Sequence, residues 1–173
     1  MQATFSSSRI LQPVRPWFIL FSLLAGLVLN FLPTSPWLWM PDFVALIIIF
    51  WSIREPQRVG MGISFILGLA MDVADASLMG QHALAYVLAS YIGTSFSRRI
   101  LWFPLGQQAL HILPLLLIVQ IIQFVMRTLP GVDSPGLSYF SSPFVGAILW
   151  IPMTFVLLLP QYRPVEHDKN RPI

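Results

Sequence analysis

The stretch GMGISFILGLAMDVADASLMG, residues 60–80, decides how the chain is read: an apolar run lined with tiny side chains ends in two carboxylates. Gly60, Ser64, Gly68, Asp72 and Ala76 recur every fourth residue. On a helix they form one slowly winding face with almost no bulk, against which another backbone can pack closely. An aspartate at the end of such a face has to be sheltered or to lie near a membrane surface, because an ionised carboxylate is costly in hydrocarbon.

The rest of the chain has the same character. Hydrophobic residues make up 56% of 173 positions and charged residues 10%, about two-fifths of the charge that soluble domains carry. With a mean hydropathy of +0.74, this is the composition of an all-α integral membrane protein rather than a soluble globule. The pI near 9.8 does not require nucleic acid, because the ten basic residues flank apolar segments as membrane topology demands. The chain has no cysteine, which excludes disulfides, thiolate metal sites and a cysteine nucleophile.

Apolar runs predict six spans: Trp17 to Leu32, Pro41 to Ile53, Val59 to Val73, His82 to Phe96, Leu101 to Met126 and Phe144 to Leu159. The second and third are short against the roughly 20 residues a crossing needs, so thinned bilayer or neighbouring helices must cover their ends. Pro33, Pro36, Trp37 and Trp39 read as an outer turn with an aromatic anchor, and Trp37 to Met40 as a possible extension of span two. Arg9, Arg15, Arg54, Arg58, Arg98, Arg99, Arg163, Lys169 and Arg171 then fall on one side, and Arg127 alone on the other. That asymmetry predicts an even number of crossings with both termini in the cytoplasm. The domains expected are a cytoplasmic segment over 1–16, a six-helix membrane domain over 17–160 and a charged cytoplasmic tail over 161–173. A cleaved signal peptide is the alternative reading of span one, but no small-residue cleavage pair follows Leu32.

Helix rise places Asp72 roughly 20 Å along its helix from Arg58, at the outer level with Asp42 and Asp75. Arg127 ends span five on the same side and is expected to bond Asp42 or Asp72 as an architectural clamp. A proton relay or substrate site at Asp42 or Asp72 is the functional alternative. His82 and His111 read as structural, too far apart for a shared metal site. Gln107, Gln108, Gln120 and Gln123 surround Pro114 in span five, giving a kinked helix whose amides bond its neighbours. Ser138, Ser141 and Ser142 have no nearby His, and no phosphate-binding or dinucleotide motif occurs, so neither a catalytic seat nor a cofactor is expected.

Pro41-Asp42 opening a short span, Trp51 before the basic loop of Arg54 and Arg58, Gly68-Leu69 with Asp72, and Leu78-Met79-Gly80 together resemble the MreD family of bacterial rod shape-determining membrane proteins. The resemblance implies a component of the cytoplasmic (inner) membrane that works with the single-pass protein MreC, MreB filaments, and the glycosyltransferase and transpeptidase that build the wall. It implies no enzyme activity, and a fold similar to the six-helix substrate-binding subunits of energy-coupling-factor transporters. On this reading Gly60, Ser64 and Gly68 serve close packing, within the protein or against a partner helix. Asp42, Asp72, Asp75 and Arg127 form an outer polar cluster, and Arg54, Arg58, Arg98 and Arg99 the inner surface. The rival function is a small-molecule or lipid carrier whose site lies among the outer span ends, drawing on the acids, Arg127, His82, Trp37, Trp39 and Tyr139; an intramembrane enzyme comes third.

Overall fold

A computed structural model describes residues 14–32, 40–129, 131 and 136–161. Its regular elements are six α-helices: α1 (Pro16–Phe31), α2 (Phe43–Arg54), α3 (Met61–Ala74), α4 (Gln81–Leu101), α5 (Leu105–Thr128) and α6 (Ser142–Leu158). A 3-10 turn, Leu137–Ser141, leads into α6. Pro33, Pro36, Trp37, Trp39, Arg9, Arg163, Lys169 and Arg171 lie outside the described residues.

The core is organised by α2. Ten of its twelve residues are buried, as expected of a helix that is apolar on every side. It touches α1, α4, α5 and α6, while α3 lies outside this group and packs on α4. Polar side chains tie the helices together where apolar surface gives no selectivity: Trp51 Nε1 donates to Ser22 Oγ on α1 at 2.8 Å, and Ser52 Oγ to Ser90 Oγ on α4 at 2.9 Å. At Gly68 the backbones of α3 and α4 come close together: a Cβ there would lie 2.3 Å from Ala83 Cα. The small-residue face of α3 is therefore spent inside the protein. Ser64 and Gly68 are buried, whereas Met61, Phe65 and Ile66 on the opposite side are exposed.

Several expected boundaries shift, each for a local reason. Span two starts at Phe43 because Asp42 is its N-cap, accepting from Ala45 N at 2.9 Å; Met40 lies outside the helix. Gly60 is likewise the N-cap of α3 rather than part of its packed face, and a Cβ there would meet only Pro56 O within 4 Å. Helix α4 runs five residues beyond Phe96, so Arg98 and Arg99 belong to its last turn, where cations complement the helix dipole. Arg54 ends α2 in the same way and lies over the Phe50 ring at 5.1 Å.

The two ends of the bundle differ. Val14, Arg54 and Arg58 share one end, and the Arg58 guanidinium donates to the Val14 carbonyl. The last turns of α1, α3 and α5 meet the first turns of α2, α4 and α6 at the other, where all six border one cavity. Helices run alternately up and down. Two segments, Leu105–Thr128 and Ser138–Gln161, are long and apolar enough to cross a membrane; α1, α2 and α3 are apolar but shorter. At about 1.5 Å per residue, α2 and α3 extend only about 18 and 21 Å, against a hydrocarbon core of about 30 Å.

Candidate functional site

The cavity exists because α2 starts late and α3 stops early. It encloses about 700 Å³, within the range of small-molecule sites. Asn30, Asp42, Asp75, His82, Gln123 and Arg127 are among its walls, together with Tyr139 from the 3-10 turn.

Asp42 is the hub. Its Oδ1 accepts from Ala45 N and from Asn30 Nδ2, both at 2.9 Å; its Oδ2 accepts from the Tyr86 hydroxyl at 2.6 Å and from Gln123 Nε2 at 3.3 Å. One carboxylate thus joins α1, α2, α4 and α5. Asn30 closes the circle by accepting from Phe43 N at 3.0 Å, and Tyr139 donates to Gln123 Oε1 at 3.4 Å. Four donors saturate a carboxylate, so Asp42 has no capacity left for a ligand.

Asp72 solves a different problem. The first N–H groups of a helix have no partner within it, and α4 begins with Gly80, which has no side chain to cap it. Asp72 reaches over from α3: Oδ2 accepts from Gly80 N at 2.8 Å, and Oδ1 from His82 N at 2.7 Å and from Ser77 Oγ at 3.2 Å. Negative charge at a helix N-terminus is further favoured by the dipole. The turn between the helices needs left-handed backbone at Ala76 (φ 47°) and Gly80 (φ 102°). The carboxylate is thus a cap in trans for the next helix, and its side chain is only 1% exposed.

The His82 imidazole lies between two acids. Nδ1 is 2.9 Å from Asp72 Oδ1, and Nε2 is 3.5 Å from Asp75 Oδ2. Asp75 follows α3 at the rim and its side chain is 47% exposed. Partial burial pushes its carboxyl above the ordinary range, with Asp42 and Asp72 adding to the effect and His82 and Arg127 opposing it.

Arg127 does not bond as expected. It borders the cavity with Asp42 and Asp75, but among the described residues it makes no ion pair. Neutral donors from Asn30, Tyr86 and Gln123 occupy the places on Asp42 that the guanidinium was expected to take. Two of the four glutamines of α5 reach other elements: Gln123 bonds Asp42, and Gln120 Nε2 the Tyr139 carbonyl at 3.2 Å. Gln108 instead turns back to the Phe103 carbonyl, and Gln107 is exposed. His111 accompanies them, 2.8 Å from the Gln107 carbonyl and stacked on Phe103. Sequence reasoning did not single out Asn30, Ser77 or Tyr86. Asn30 is legible as a lone amide ending an apolar run, and Tyr86 as one turn beyond His82 on the same helix face.

The family model of "rod shape-determining protein MreD" matches residues 8–160. The rod shape-determining protein MreD of Haemophilus influenzae is 29% identical over 156 residues, covering 84% of this chain and 93% of its own. No solved structure matches. With the match running from before α1 to beyond α6, the chain belongs to the MreD family of rod shape-determining membrane proteins.

Proposed function

We propose that this protein is a non-enzymatic scaffold of the bacterial inner membrane, which crosses it six times with both termini in the cytoplasm. It holds the single-pass protein MreC and couples MreB filaments inside to the wall-building glycosyltransferase and transpeptidase outside. Family membership carries the shape-determining role. The observation that supports a scaffold is the way polar groups are used. The Asp42 carboxylate is saturated by donors from four helices, and Asp72 is held by Gly80, Ser77 and His82, so both are engaged in fixing helix ends. The positive-inside distribution of arginines supports the topology. A short α2 is tolerable in that setting because other helices cover it, and a short α3, packed chiefly on α4, by local thinning of the bilayer.

The test is depletion of the protein in a rod-shaped cell, with pull-down of MreC from the membrane fraction. Rods should round up, and MreC should copurify with the intact protein. Unchanged rods would remove the shape role; rounding without any MreC in the pull-down would remove the scaffold.

A further inference from the structure

The cavity holds polar capacity that the hydrogen-bond network does not use. Asp42 is saturated and Asp72 is committed to the turn before α4, but among the described residues the Asp75 carboxylate meets only His82 Nε2, at 3.5 Å, and is half exposed. Across the same space the Arg127 guanidinium makes no hydrogen bond or ion pair among the described residues. Its charge reaches Asp75, yet the two groups do not meet, so opposite charges stand apart with the cavity between them. The same cavity is lined by Gln81 and Ser142, 5% and 6% exposed, whose side chains have no hydrogen bond among the described residues, and by Gln120, whose Oε1 has none. All three residues line the cavity, and none of these polar atoms is sealed in protein. They leave donors and acceptors that a polar ligand in the cavity can complete.

We propose that the cavity binds a small zwitterionic ligand, its anionic group paired with Arg127, its ammonium with Asp75, and its intervening polar atoms bonded by Gln81 and Gln120. A cation alone would leave Arg127 unanswered, and an anion alone would face Asp75. At roughly 30 Å³ per water-sized unit, about 700 Å³ accommodates a ligand of some twenty heavy atoms. Two sources carry an ammonium and an anion on one small unit: a free short peptide, and the phosphoethanolamine headgroup of a lipid at the cavity mouth.

The test uses the full chain in nanodiscs. Soluble alanyl-alanine is titrated calorimetrically against protein in phosphatidylglycerol discs, and native mass spectrometry compares retention of phosphatidylethanolamine with that of phosphatidylglycerol. Saturable alanyl-alanine binding identifies a free peptide; selective retention of phosphatidylethanolamine identifies the headgroup. In either case Arg127→Gln and Asp75→Asn should each weaken binding at least tenfold. Both residues are exposed, so the variants should melt like the parent. A ligand-side control avoids variants altogether: acetylating the ammonium, on the dipeptide or on the lipid, should weaken binding to the unmodified protein as much as Asp75→Asn does. The proposal falls if neither probe binds, if neither variant alters binding, or if the acetylated ligand binds as tightly as the zwitterion.

Discussion

The Tyr86 hydroxyl donates to Asp42 Oδ2 across 2.6 Å, between residues 44 apart in the chain. Tyr86 is fully buried on α4 and Asp42 caps α2, so this one bond fixes the height of one helix against the other. Charge-assisted bonds are about twice as strong as neutral ones. Tyr86→Phe should cost about 2 kcal/mol, leaving Asp42 with three donors. Asp42→Ala should cost more, roughly 3 to 5 kcal/mol, because it removes the α2 cap and strands Tyr86, Asn30 and Gln123. Thermal melts of the detergent-solubilised variants read both, and equal losses would show that the hub is not a hub.

The cap that Asp72 provides for α4 makes a different prediction. Asp72→Ala should fray the start of α4 and loosen the turn over residues 75–80, with a loss of about 2 kcal/mol from two orphaned N–H groups. Asp72→Asn keeps a single side-chain carbonyl for those groups and should lose about half as much. Gly80→Ala, at φ 102°, should cost about 1 kcal/mol by strain alone. Hydrogen exchange at Gln81 to Leu84 distinguishes the mechanisms: the Asp72 variants should exchange faster there, whereas Gly80→Ala should lower the melting temperature with the capping bonds intact.

How far these contacts were legible follows from what each depends on. Periodicity and charge placed six helices, because a four-residue stripe such as Gly60 to Ala76 and an arginine pair such as Arg98 and Arg99 are local patterns. Helix rise put Asp42, Asp72 and Asp75 at one level, and the structure brings all three to that end of the bundle. Pairing was not legible. Arg127 was the obvious partner by charge, yet Asp42 is served by a Tyr, an Asn and a Gln from three different helices. Which neutral donor lies opposite depends on how each helix is rotated and which helix it packs against, and local pattern determines neither. The place of the cavity was partly legible, since Asp42, Asp75, His82, Arg127 and Tyr139, the residues named for a carrier site among the outer span ends, line it; its size was not, because it is a space left by two short helices rather than a property of any segment.

Absence of cysteine makes the topology directly measurable. Gln57→Cys and Met79→Cys place single thiols at exposed positions before and after α3. A membrane-impermeant maleimide added to intact spheroplasts should label the second and spare the first. Labelling of both or of neither would mean that α3 does not cross, and six spans would become five or fewer.

Gly68 and Gly62 share α3 but not its surroundings. A Cβ at 68 would stand 2.3 Å from Ala83 Cα and 2.5 Å from its amide nitrogen, backbone atoms that cannot move aside without shifting α4. A Cβ at 62 would meet nothing within 4 Å. Gly68→Ala should therefore cost about 1 to 3 kcal/mol by overpacking, while Gly62→Ala should gain up to about 1 kcal/mol in helix propensity. Because α3 packs on α4 alone among its substantial contacts, Gly68→Ala should also loosen the Asp72 cap while leaving the bond between Tyr86 and Asp42 in place. The informative readout is a pair of melting curves with the MreC pull-down beside them. If Gly68→Ala lost MreC while melting like the parent, its small face would be meeting a partner rather than α4, and the close α3–α4 contact would be wrong.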